Sequence, residues 1–254
     1  MNTQQFRIGF NQKVRLEWMH YAAAMLLDGR DALSIKNELD AYLADKVAKG
    51  SSSKRSARSK VISIIRNVWV SPRDALVPLR NEGLEILATT HQQPFPDATM
   101  LAVHWGMTCA SYPFWASIAI QTGRLFRIQN TASIAEVQRR LREQYGERET
   151  VSCAVSRVLR SFREWGVLQD ASAKRVYTAG NPMEITSPRV IAWMLEASLH
   201  AQQKDASSLR TLLQHPVFFP FMLDAVYPAE IEASAMRLEI HRHSLDDDLV
   251  VLRK

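Results

Sequence analysis

Five side chains able to hold phosphate recur within a dozen residues of this sequence: Ser152, Ser156, Arg157, Arg160 and Arg163. At helical spacing they fall away from Val151, Val155, Val158, Leu159 and Phe162, which share one apolar stripe. Hydroxyl and guanidinium groups donate hydrogen bonds to phosphate oxygens. A helix packed by its apolar side and basic on its free side fits a DNA groove. Arg148 before this segment, and Lys174 and Arg175 after it, add cations to the same neighbourhood. The competing reading is a helical hairpin capped by two short strands, with its arginines merely solvated.

The flanking residues predict how such a helix is held. Ser133 with Glu136 is a capping box that opens a helix to about Tyr145. Residues 146–149 make a turn, and a second helix runs from about Val151 to Trp165. Gly166 suits its C-cap. Val167-Leu168 and Arg175-Val176-Tyr177 are expected to pair as strands around a wing at Asp170 to Lys174. The span from Thr131 to Thr178 therefore reads as a winged helix-turn-helix. From Ser133 to Thr178 there are nine Lys or Arg against six Asp or Glu. The surplus is modest, so the placement of the charges carries the reading.

A second basic feature is stronger in charge. Lys46, Lys49, Lys54, Arg55, Arg58, Lys60, Arg66 and Arg73 occur with no acid between Lys46 and Arg73. Lys54, Arg55, Arg58 and Ser59 gather near the start of a helix whose Val61, Ile62, Ile64, Ile65 and Val68 face inward. Helix N-termini attract phosphate, and the preceding serines add donors. The expectation is a sequence-independent clamp on a nucleic-acid backbone by Lys54, Arg55, Arg58 and Lys60. Its alternatives are a solvated basic face or a dock for an acidic protein.

The bulk properties fit this. The chain has 254 residues, 46% hydrophobic and 23% charged, with a formal net charge of +6. That is the composition of an ordinary globular protein, and the charge favours a polyanionic partner. Two cysteines, Cys109 and Cys153, exclude a disulfide scaffold and fit a reducing compartment; both are expected as buried thiols. Residues 1–10 lack the apolar core of a signal peptide, so the expected location is cytoplasmic. Ala98 to Gly123 carries no Asp, Glu, Lys or Arg, which is long enough for a membrane span. Tyr112-Pro113 interrupts it, so two short buried helices are expected instead, and no membrane partner.

The predicted fold class is mainly α: a helical N-terminal bundle, a winged helix-turn-helix, and a C-terminal helical unit ending in a winged-helix-like β-hairpin. The boundaries are 1–97, 98–186 and 187–254. The N-terminal helices are placed at Gln12–Asp28, Ala32–Ala48, Ser56–Val70 and Asp74–Thr90. C-terminal helices are placed at Arg189–Gln202, Ala206–Gln214 and Ala229–Ala235. Met236 to His243 alternates, with Met236, Leu238 and Ile240 inward and Arg237, Glu239, His241 and His243 outward. Leu249 to Arg253 is its expected partner strand.

No phosphate-binding glycine loop, nucleophile elbow or metalloprotease helix is present, so no enzyme, cofactor or metal site is expected. His241 and His243 near Asp246 to Asp248 supply too few ligands for a metal and read as exposed hairpin residues. His104 reads as a satisfied core histidine. Trp18, Trp69, Trp105, Trp115, Trp165 and Trp193 read as core rather than base-stacking platforms.

Taken in order, these features resemble the BrxA family of bacteriophage-exclusion (BREX) defence proteins. Three places carry the resemblance: Ser51-Ser52-Ser53-Lys54-Arg55-Ser56-Ala57-Arg58, the apolar stretch Met100 to Ile120 with its Tyr112-Pro113-Phe114 break, and Ser152 to Leu168 ending in Glu164-Trp165-Gly166-Val167-Leu168. The order and spacing of the resemblance cover about residues 6–180. The resemblance implies a helical, winged-helix-type protein that binds duplex DNA as a non-catalytic component of phage defence, alongside other proteins of that system. It carries Lys54, Arg55, Arg58, Arg157 and Arg160 over as the positions of interest. Two alternatives stay open: a winged-helix transcription regulator, and a protein-docking adaptor that does not bind DNA.

Overall fold

The uncharged run from Ala98 onward sits at the centre of the molecule. The computed structural model describes residues 8–47, 56–90, 95–242 and 248–253. Around the centre come α1 (Leu16–Leu27), α2 (Ala32–Tyr42), α3 (Ala57–Ile65) and α4 (Val77–Ala88). A π-helical turn at Arg66–Val70 extends α3, and a 3-10 turn at Asp74–Leu76 leads into α4. Then follow α5 (Ala98–Ser111) and α6 (Pro113–Gln129). In α5 every residue from Met100 to Ala110 is buried, which explains why the segment has no charge and no amphipathic period. Tyr112 is the hinge between α5 and α6, with Pro113 in the first turn of α6, where its missing N–H costs nothing. Among the described residues no helix is long and apolar enough to cross a membrane.

From α6 the chain runs through β1 (Thr131–Ser133), α7 (Ile134–Tyr145), α8 (Glu149–Glu164), β2 (Leu168–Asp170) and β3 (Val176–Ala179). The three strands form one antiparallel sheet in the order β1-β3-β2. Tyr177 is thereby paired with Ala132 on one side and Asp170 on the other. The capping box is formed: the Glu136 N–H donates to Ser133 Oγ and the Ser133 N–H to the Glu136 carboxylate. Gly166, at φ 77°, ends α8 in a conformation that a Cβ would strain. β1 was not anticipated, because three residues are too few to show alternation.

The C-terminal third repeats that succession. After β4 (Met183–Ile185) come α9 (Pro188–Gln202), β5 (Ala206–Ser208), α10 (Leu209–Leu213), a 3-10 turn at Pro216–Phe218 and β6 (Phe221–Leu223). Then follow α11 (Pro228–Ser234), β7 (Leu238–Arg242) and β8 (Asp248–Leu252). The sheet order β5-β8-β7 has the same form as β1-β3-β2: the first strand lies against the last. In addition, β4 and β6 pair in parallel.

Two expectations here are corrected. Ala206–Ser208 is a strand on β8, and Ser208 caps the short α10, so the helix expected from Ala206 starts three residues later. Met236 is 80% exposed, whereas Arg237 turns inward. Both residues precede β7 in a turn, where the two-residue period does not yet apply. Arg237 Nε donates to Glu196 of α9 at 2.8 Å and its Nη2 to Glu82 of α4, so the turn before β7 is tied to α9 and, through Glu82, to the N-terminal helices.

The buried apolar side chains form one continuous cluster from Phe10 to Val250. All six tryptophans belong to it. Trp193 of α9 lies against Gly106 of α5 and Gly83 of α4 and donates to the Leu79 carbonyl at 2.9 Å. A Cβ at Gly106 would sit 2.5 Å from the indole, so close approach of α5 and α9 depends on that glycine.

Candidate nucleic-acid interface

α8 has an inner face made of Val151, Ala154, Val155, Val158, Leu159, Ser161 and Phe162, all buried. Its exposed residues are Glu149, Thr150, Cys153, Arg160, Arg163 and Glu164. The outer face is thus narrower and less basic than its sequence pattern suggests, because both edges of the helix are occupied.

One edge packs on α7. Gln138 Nε2 donates to the Ser152 carbonyl at 2.9 Å and to Ser156 Oγ at 3.0 Å. Ser152 and Ser156 are half-buried there, and the Ser156 hydroxyl also bonds back to the Ser152 carbonyl. They hold two helices together instead of facing outward.

The other edge carries residues 8–15, which cross the C-terminal half of α8 as a strap. Arg157 Nη1 donates to the Asn11 carbonyl at 2.7 Å, the Val14 N–H to Ser161 Oγ at 2.9 Å, and Trp165 Nε1 to the Val14 carbonyl at 2.9 Å. Phe10, fully buried, anchors the strap against Trp115 and Tyr112. Arg157 therefore serves the strap and does not lie on the free face. In exchange the strap brings in two cations that sequence reading missed: Lys13 pairs with Glu164 at 3.2 Å and Arg15 lies 3.8 Å from the same carboxylate. No local pattern announces a contact made across some 150 residues.

What remains basic is concentrated at the end of α8 and the β2–β3 turn. Arg160, Arg163 and Arg175 all lie close enough to Tyr177 to lower the pKa of its hydroxyl, although burial and Asp170 raise it on balance. Arg163 Nε pairs with Asp170 at 2.7 Å, with both side chains more than half exposed. An exposed pair of this kind contributes under about 1 kcal/mol, so a phosphate competes for the guanidinium readily. Arg160, Lys174 and Arg175 are exposed and make no ion pair among the described residues. Arg148 is exposed at the other end of α8, with one guanidinium nitrogen on the Tyr145 carbonyl at 2.9 Å.

The acid-free run behaves differently. Lys49, Lys54 and Arg55 lie outside the described residues. Arg58 Nε pairs with Asp40 of α2 at 2.9 Å, so the compensating acid absent from the run is supplied by a neighbouring helix. Lys46 donates to the Tyr42 carbonyl and sits over the Tyr42 ring; Arg73 donates to the Ala110 carbonyl. Lys60 is half-buried. Ser56 caps α3 through the Ser59 N–H. Of the cations expected to clamp a backbone here, Arg58 is already partnered and Lys60 alone of the described ones is not.

Three further expectations meet the structure. Cys153 is exposed in the second turn of α8, not buried; the apolar stripe runs through Val151, Ala154 and Val155 and leaves it out. Cys109 is buried, and burial pushes its thiol pKa up. His104 is buried but only half satisfied: its Nε2 lies 3.4 Å from His20 Nδ1, and its own Nδ1 has no partner among the described residues. His241 lies 3.3 Å from Glu239, while His243, Asp246 and Asp247 fall outside the described residues.

Comparison with protein-family models, curated proteins and solved structures gives no match to this chain.

Proposed function

We propose that residues 113–179 form a winged helix-turn-helix that binds duplex DNA, mainly through phosphate contacts. The observation that carries this reading is the placement of exposed Arg160 and Arg163 at the end of α8 beside exposed Lys174 and Arg175 of the β2–β3 turn, with Arg163 reaching Asp170 of β2 at 2.7 Å. In a helix–strand–helix–helix–strand–strand unit, the second helix of the turn and the wing are the two parts that meet a groove and its flanking phosphates. Arg160, Lys174 and Arg175 supply the cations free to do so, and Arg163 joins them by leaving an exposed ion pair. A non-catalytic accessory role in phage exclusion follows from the resemblance described above and extends this reading.

A salt-titrated gel shift tests it. Duplex affinity should fall steeply with salt, with a log–log slope of roughly −0.9 per phosphate contacted. Replacing Arg160 and Lys174 together by Ala should weaken binding of every sequence alike and reduce that slope by about two contacts. Wild-type affinity in the double variant rejects this interface. A footprint confined to one operator sequence would favour a transcription regulator. No retention of duplex DNA at low salt would favour the docking adaptor.

A further inference from the structure

Where α6 meets the 3-10 turn after α10, the structure leaves a half-open cavity of about 270 Å³. Gly123 sets this seam: a Cβ there would lie 2.2 Å from the Pro216 carbonyl oxygen, so helix and turn touch backbone to backbone. Beside the contact, Phe126, Phe218, Phe219 and Phe221 make an aromatic wall closed by leucines. Among the described residues, Arg127 and His215 are the only lining residues with charged or titratable side chains, and no carboxylate lines the space.

The polar end is prepared for an anion. Arg127 Nη2 donates to the Gln214 carbonyl at 2.6 Å, which fixes the guanidinium and leaves the rest of its fork without a partner among the described residues. The Val217 N–H reaches His215 Nδ1 at 3.4 Å, so the neutral ring carries its proton on Nε2. Burial first, then the positive charges of Arg124, Lys204 and Arg127, hold the His215 pKa down at about 4, so the ring is neutral near pH 7. Those three cations make no ion pair with an acid among the described residues. The local field is positive and one neutral N–H donor stands beside it.

We propose that this cavity binds a small aromatic carboxylate, its ring against the phenylalanines and its carboxylate on Arg127 and His215. Its volume falls just below the usual range of ligand pockets, which begins near 300 Å³, so the guest must be small. Aromatic walls favour an aromatic guest through edge-to-face contacts. A guanidinium with a free fork matches a carboxylate in plane. A bare phosphate would satisfy the charges but leave the aromatic wall wet, and a cation would be repelled. This site is separate from the outer face of α8 and does not rest on the DNA reading.

The test is titration of the full chain with 2-naphthoate by isothermal calorimetry, alongside the neutral isostere 2-naphthalenemethanol. One saturable site is expected, with the alcohol at least about tenfold weaker. Arg127→Gln, at an exposed position, should weaken naphthoate about tenfold at an unchanged urea midpoint, and Arg127→Lys should restore part of the loss. Arg160→Ala should leave naphthoate binding unchanged. The proposal is overturned by absence of saturation, by equal affinity for acid and alcohol, or by full affinity in Arg127→Gln. It is equally overturned if Arg160→Ala weakens naphthoate as much as Arg127→Gln does.

Discussion

Arg157 and Asn11 stand 146 residues apart in sequence, yet the guanidinium donates to the Asn11 carbonyl at 2.7 Å. That bond ties the strap of residues 8–15 to the side of α8 and removes Arg157 from the outer face. Arg157 and Arg160 should therefore separate by function. Arg157→Ala should cost about 1.5–3 kcal/mol of stability, the value of a hydrogen bond involving a charged group. Arg160→Ala should change stability by less than about 0.5 kcal/mol and act on DNA affinity instead. Urea denaturation paired with a gel shift distinguishes them. Equal stability loss in both variants would mean that the two arginines are not divided in this way.

Cys153 offers a direct probe of the same face. It is exposed in the second turn of α8, two turns before Arg160, whereas Cys109 is buried. Under native conditions a maleimide should label Cys153 alone. Saturating duplex DNA should slow that labelling several-fold, and the labelled protein should lose most of its DNA affinity. Labelling at the same rate with and without bound DNA would place the nucleic acid elsewhere.

The ionic cluster of Arg237, Glu196 and Glu82 predicts a large asymmetry between breaking and replacing it. Arg237→Ala would leave the Glu196 and Glu82 carboxylates, 4% and 11% exposed, with only His200 and Arg189 among the described residues, each at 3.6 Å, at a cost of up to about 3 kcal/mol. Arg237→Met combined with Glu82→Gln and Glu196→Gln removes the stranded charge along with the pair and should cost clearly less. Chemical denaturation of both variants measures the difference. A triple variant as unstable as the single one would assign the effect to packing.

His104 predicts a pH dependence of stability. It is fully buried, with His20 at 3.4 Å and the Trp69 ring edge-on at 5.1 Å. Burial first, and the charge of His20 second, hold its pKa well below 6.5. The unfolded chain then takes up the proton before the folded one does. The stability contributed by neutral His104 is complete above about pH 6.5 and is lost as pH falls below that value toward the folded pKa. His215 acts with the same sign between 6.5 and about 4. The urea midpoint should drop from pH 7 to pH 5. His104→Asn should flatten that drop by up to about 1.4 kcal/mol per pH unit. An unchanged slope in the variant would locate the effect in other groups.

Local order was legible in the sequence wherever neighbours within a few residues decide it. The Ser133–Glu136 capping box, Gly166 at the end of α8, the break at Tyr112-Pro113 and the pairing of β7 with β8 each follow from short-range sterics or hydrogen bonding. Burial of the six tryptophans follows from their apolar context. Helical spacing likewise separated the inner face of α8 from the rest of the helix.

Which polar residues stay free was decided only by tertiary structure. The same guanidinium on the same helix face is a backbone clamp at Arg157 and an open cation at Arg160, because the strap crosses one edge and not the other. Arg58 has no acid within its own run, yet α2 brings Asp40 to it, and Gln138 of α7 takes up the Ser152 carbonyl and the Ser156 hydroxyl. A side chain's type and spacing fix the chemistry it is able to do and the face it occupies. Whether it meets solvent, a carbonyl or a carboxylate depends on packing between segments far apart in the chain, which no local period encodes.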